Sequence, residues 1–196
     1  MSVISVAVLL YANYAYGLTA SEFVVKHGNK FSEGKWLDNN IKETKSCYPI
    51  TKGANLSGCN LYGIDLQNAD LRYIDFTNTN LKAADLSGAN LSGANLQRTF
   101  LRDSNLNGAN LSNANLSFAK LINAEIKNAD LTNVNFYKAF LYRSDLTASN
   151  LTNADMRHAT LTHTNLSYTN LIGANIGEAG IWGTNFNHCK NHKICE

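Results

Sequence analysis

Ala54-Asn55-Leu56-Ser57-Gly58 is the first copy of a five-residue pattern that then runs without insertion or deletion for 27 steps. The central position falls at 56, 61, 66 and onward to 186. Twenty centres are Leu, and the others are Phe76, Ile126, Phe136, Met156, Ile176, Ile181 and Phe186. Two residues before each centre stands a small or modest side chain, Ala in 15 copies. The residue just before the centre is Asn or Asp in 21 of the 27. Side chains two apart on an extended chain share a face. The Ala-type and Leu-type positions therefore point inward, with Asn or Asp outward between them. The last two residues of each copy are mostly Ser, Thr, Gly, Asn and Lys, which suit a turn. A period of five fits neither a helix face nor a straight strand. The chain must coil, one side per five residues.

The exceptions set the number of sides. Six positions break the Asn/Asp rule: Phe100, Lys120, Glu125, Phe140, Thr160 and Gly180. Five of the six are spaced by 20. A triangular coil of 15 residues would scatter those five over all its sides, whereas a square coil of 20 stacks them in one column.

The A(N/D)LxX pattern resembles the pentapeptide-repeat family over residues 52–188, about 70% of the chain. The resemblance implies an all-β fold, a right-handed quadrilateral parallel β-helix, and the handedness comes from the family alone. At four sides to a coil, the 27 steps make about 6.75 coils, a rod roughly 30 Å long. Some family members mimic duplex DNA, bind DNA gyrase and confer quinolone resistance, and their rods are acidic. Here residues 52–188 carry ten basic and ten acidic side chains, so the gyrase-binding role is the alternative reading. Exported members with short N-terminal caps occur in the thylakoid lumen, and the approach Thr44-Lys45-Ser46-Cys47 resembles theirs.

Around the repeats, the chain divides into four parts. Residues 1–17 read as a signal peptide: an apolar run from Val3 to Ala12, then Ala15-Tyr16-Gly17 with small residues at a cleavage site. That run is too short to span a bilayer. The expected compartment is a periplasm or thylakoid lumen, with secretion as the alternative. Residues 18–51 form an N-terminal cap over the first open edge. Within it, Trp36, Leu37 and Ile41 give 35–45 the spacing of a short amphipathic helix that Pro49 would stop. Between Phe23 and Trp36 the sequence allows a hairpin at Gly28-Asn29 or a helix starting at Ser21-Glu22. Residues 189–196 form a C-terminal plug. Four cysteines in two local pairs suggest disulfides Cys47–Cys59 and Cys189–Cys195, though four cysteines allow three pairings.

Charge and motifs narrow the function classes. The 17 Lys+Arg against 15 Asp+Glu give +2, no reason to expect a nucleic acid or a membrane as partner. His188, Cys189, His192 and Cys195 form the only dense ligand cluster, and its spacing matches no strong zinc signature. His158 and His163 are expected outward and solvated. No Ser, Cys or Asp lies in a motif that would activate a nucleophile, so no enzyme activity, cofactor or metal is expected. One side of the coil stands out, the one centred on 61, 81, 101, 121, 141, 161 and 181. Its outer slots hold Tyr62, Phe100, Arg102, Lys120, Ile122, Phe140, Tyr142 and Trp182. Aromatics with Arg are enriched at protein interfaces. A protein partner or a homodimer through the side bearing Phe100 and Phe140 is expected, with residues 18–35 as the competing cover.

Overall fold

The computed structural model describes residues 31–32, 35–36, 47 and 49–195. Parallel bridges join each outward residue to its equivalent 20 positions later, from Asn55↔Asp75 through to Asn170↔Lys190. Each side contributes one bridge rather than a strand of ordinary length. Four sides complete a coil, as the column of exceptions requires.

The copy around Leu116 shows why five residues suffice. The Ala114 N–H closes the preceding turn on the Leu111 carbonyl at 3.0 Å. The Asn115 N–H reaches the coil before, at the Ala94 carbonyl, 2.9 Å. Leu116 and Phe118 donate to the coil after, at the Asn135 and Tyr137 carbonyls, 2.8 and 3.0 Å. The fifth donor, the Ser117 N–H, has no backbone acceptor and is taken by Asn115 Oδ1 at 3.1 Å. All five backbone donors are thus satisfied, which burial demands. The preference for Asn or Asp before the centre follows: it supplies the acceptor two residues on.

The turn after each centre has its second inner residue at positive φ, 61° at Phe118 and 66° at Gly93, the pattern of a type II turn. At Gly93 the choice is also steric, because a Cβ there would come within 2.6 Å of the Tyr73 ring.

Every centre from Leu56 to Leu171 is buried. A buried Leu contributes about 1.5–3 kcal/mol before chain entropy is counted, so the stacked centres are the core. Where the modest inward slot holds a hydroxyl, that hydroxyl is bonded: Thr79, Thr99, Ser149 and Thr164 donate to carbonyls of the coil before at 2.6–2.7 Å. At the lower end Ile176 and Phe186 are half-buried and Ile181 is 42% exposed. The tail covers only part of this end. Lys190 pairs with Asn170, and a 3-10 turn, Lys193–Cys195, packs Ile194 beside it.

Both expected disulfides are formed, Cys47–Cys59 and Cys189–Cys195. Strand β1 (Phe31–Ser32) pairs antiparallel with β2 (Lys35–Trp36), in register Phe31↔Trp36. The expected helix therefore does not start at 35: Lys35 and Trp36 are in β2. The remainder of that helix, 37–45, and the signal segment 1–17 lie outside the described residues. The register also leaves two residues, 33 and 34, between the strands, so this hairpin does not turn at Gly28-Asn29. Periodicity over three apolar residues was too short a signal to separate helix from hairpin.

Candidate interaction face

The eight outer residues singled out above do not form one cluster. Tyr62 and Trp182 are 64% and 74% exposed, but six coils separate them, about 29 Å by strand spacing. The middle six are brought together on three consecutive coils: Phe100 with Arg102, Lys120 with Ile122, and Phe140 with Tyr142. Phe140 is 44% exposed, and Phe100, Ile122 and Tyr142 are half-buried. The Phe100 ring lies between two ammonium groups, Lys82 Nζ at 5.8 Å and Lys120 Nζ at 4.9 Å.

The structure extends this patch round a corner that a side-by-side reading of the sequence missed. One inward residue, Thr99, separates Phe100 from Arg98; Ala119 likewise separates Lys120 from Phe118, and Ala139 separates Phe140 from Lys138. The Phe118 ring sits between Arg98 of the coil before, at 5.5 Å, and Lys138 of the coil after, at 6.0 Å. Ring and cation thus alternate in both columns and across them. Tyr137 continues the pattern, meeting the Phe118 ring edge-on at 5.9 Å, with Lys138 at 5.3 Å and Arg157 at 5.7 Å. The signal was present as a two-residue offset between columns of neighbouring sides.

Two local rules are broken here. First, Phe100, Lys120, Phe140 and Thr160 stand where an Asn or Asp would accept the N–H two residues on. The N–H groups of Arg102, Ile122, Tyr142 and Thr162 consequently find no acceptor among the described residues. At Glu125, the remaining non-glycine exception, Asn107 Oδ1 takes the Lys127 N–H instead, at 2.8 Å. Second, Arg98, Phe118 and Lys138 occupy turn slots with φ of 55–61°, as Tyr73, Ala83, Ala148 and others do elsewhere on the rod. A side chain with a Cβ costs about 1–2 kcal/mol there. The two coils above fill the same column with Gly58 and Asn78, which suit that backbone better.

Charge is segregated although the rod is neutral. Arg72, Lys127 and Arg157 are paired with carboxylates on their own sides, Asp70, Glu125 and Asp155. The Arg72 side-chain bond holds the Asp70 carboxyl down to about 2. Asp155 is lowered mainly by its bond from Arg157, and Glu125 mainly by Asn107, then Lys127. Lys82, Arg98, Lys120, Lys138 and Arg143 make no ion pair among the described residues, and all five are exposed. Each lies over an aromatic ring. All five belong to this side and its two corners; on another side, Lys52 is likewise without an ion pair among the described residues and lies over the Tyr73 ring at 5.8 Å.

His158 and His163 point outward and are exposed, as expected, and each also has side-chain neighbours. His158 Nδ1 is 3.1 Å from Glu178 Oε2, with its ring edge-on to Tyr137. His163 meets the rings of Tyr142 and Trp182 at 5.8 and 4.6 Å. Cys189 and Cys195 are bonded to each other, and among the described residues no group of three His, Cys, Asp or Glu is placed to hold a metal. No helix among them is long and apolar enough to cross a membrane.

A sequence-family profile described as pentapeptide repeats, in eight copies, matches in segments from residue 52 to residue 190. A search of curated protein sequences gave no match. Among solved structures, a trypsin-treated form of QnrB1, a plasmid-mediated fluoroquinolone resistance protein, aligns at 20% identity. Its TM-score is 0.64, over 71% of this chain and 70% of that one. HetL, a pentapeptide repeat protein involved in heterocyst differentiation regulation from the cyanobacterium Nostoc, aligns at 26% identity over 69% and 75%, TM-score 0.36. A pentapeptide repeat protein of the Arabidopsis thaliana thylakoid lumen aligns at 26% over 56% and 70%, TM-score 0.33.

Proposed function

The chain belongs to the pentapeptide-repeat family, a family of right-handed quadrilateral β-helices, and from that premise we propose that it is a non-enzymatic, exported scaffold. Its rod of about 6.75 coils, capped by residues 18–51, presents one side to a protein partner or to a second copy of itself. The observation that carries the reading is the cluster of Phe100, Phe140, Tyr142 and their cations. It replaces the polar slots that the fold prefers, at the cost of three backbone caps, those of Arg102, Ile122 and Tyr142. Departures of that kind from local consistency concentrate at functional sites. Two disulfides that consume every cysteine support an oxidising compartment.

The gyrase-directed alternative gains nothing from the likeness to QnrB1, which at 20% identity concerns the fold alone. A duplex mimic needs an exposed anionic face, and among the described residues the exposed unpaired charges are cationic.

Sedimentation of the wild type and of Phe100→Ser with Phe140→Ser, joined to limited proteolysis, tests the proposal. An assembled species that the double variant loses supports pairing with a second copy. A monomer in both cases, with lowered stability and new cleavage within 18–35, would show that the N-terminal segment covers the face and would refute the reading.

A further inference from the structure

Resting on that proposed function, we infer that the partner chemistry is an acidic, extended peptide segment of another protein, lying along the rod over the corner that joins Arg98, Phe118 and Lys138 to Phe100, Lys120 and Phe140. Charge complementarity is the first argument. Five exposed cations without a carboxylate partner gather on this face, while on other parts of the rod Arg72, Lys127 and Arg157 are already neutralised and Lys52 is unpaired among the described residues. A folded chain of neutral rod charge that concentrates one sign on one face steers an oppositely charged partner to it.

Geometry supplies the second argument. From Lys82 to Arg143 the strip spans three coil steps, about 14 Å, which an extended strand covers in about four residues. Successive cations Arg98, Lys120 and Lys138 zigzag down the corner, one coil apart along the axis and one inward residue apart across it. That places them about 8 Å apart by strand spacing. Same-face side chains of an extended peptide recur every ~6.7 Å, a difference that flexible lysine stems absorb.

The rings argue against a nucleic acid. Single strands bind by stacking bases on free aromatic faces. Here Phe118 is held between Arg98 and Lys138, and Phe100 between Lys82 and Lys120. The rings act as a floor that holds the cations upright, and the outward groups are N–H donors suited to carboxylates. The uncapped N–H groups of Arg102, Ile122 and Tyr142 lie on the same face and add backbone donors to it.

The test uses the full chain and a fluorescein-labelled ten-residue peptide of alternating Glu and Tyr, read by anisotropy at about 50 and 300 mM salt. The expected result is binding that weakens at least tenfold at the higher salt, and at least tenfold in Lys120→Glu with Lys138→Glu. Lys52→Glu with Lys127→Glu changes the net charge equally on other sides and should leave affinity within twofold. No binding, equal losses in both pairs, or tighter binding of a ten-nucleotide oligothymidine would overturn the inference. The two readings are separable. If Phe100→Ser with Phe140→Ser abolishes peptide binding and charge reversal does not, a protein-binding face survives and the acidic partner falls.

Discussion

Replacing Asn115 by Ala tests the account of why this fold wants Asn before each centre. Asn115 Oδ1 accepts the Ser117 N–H at 3.1 Å, Asn115 Nδ2 donates to Asn95 Oδ1 at 3.3 Å, and Asn135 Nδ2 donates back to Asn115 at 3.3 Å. Ser117 is buried, 4% exposed, so its N–H would be left without acceptor or water, at about 1–3 kcal/mol. The two longer amide bonds add about 0.5 kcal/mol each, the low end of their range. The expected loss is about 2–4 kcal/mol, read from urea unfolding with an unchanged m-value. Asn115→Asp keeps the acceptor and loses only the donation to Asn95, so it should cost about 1 kcal/mol. The converse change, Thr160→Asn, gives the Thr162 N–H an acceptor and should stabilise by about 0.5–1.5 kcal/mol. Asn115→Ala within about 0.5 kcal/mol of wild type, the size of the extrapolation error, or equal losses for Ala and Asp, would refute the cap as the reason for the motif.

Three further outcomes are expected. Thiol titration of the denatured protein should find no free thiol, and reductant should lower the melting temperature, since each bridge contributes on the order of 2–4 kcal/mol; substantial free thiol would contradict the pairing. A single Gly inserted after Ser112 should abolish cooperative unfolding of the rod, because it turns every later inward side chain out of register; an unchanged melting curve would contradict the solenoid. Asp70, held at about 2 by Arg72 against its ordinary 3.8, should remain ionised at about pH 3 in an NMR titration. Because the folded value is depressed, its contribution is present above the ordinary value and is lost as pH falls through about 2. Arg72→Ala should return the midpoint toward the ordinary range.

Much of the architecture is legible in the sequence because each side needs only five residues and each slot has one physical role. Leu centres, Ala-type neighbours and the 20-residue column of Phe100, Lys120 and Phe140 fix a square coil without any structural information. The same column hides its own consequence: that Asn caps an N–H two residues on is visible only when Ser117 and Asn115 are seen bonded. Half of the interaction face was missed for a related reason. Arg98, Phe118 and Lys138 belong to a different side from Phe100 and Lys120, and only the corner brings the columns together. At the N-terminus the signal was simply short. Trp36, Leu37 and Ile41 satisfy a helical spacing, yet Lys35 and Trp36 pair with Phe31–Ser32, since hairpin register depends on a turn that three apolar residues do not encode.

The inward pattern repeats every five residues, but bridges join residues 20 apart, and these two periods constrain the gene differently. Duplicating or deleting five codons inside the run leaves every inward slot filled, so the fold survives the copying error. Everything beyond that point, however, is rotated by a quarter turn. A duplicated copy between Leu101 and Leu121 would leave Phe100 where it is and carry Lys120 and Phe140 onto the neighbouring side, dismantling the strip at a stroke. Only a twenty-codon event preserves both core and surface. Such a lineage can reinvent what its rod displays by slippage alone, without passing through an unfolded ancestor.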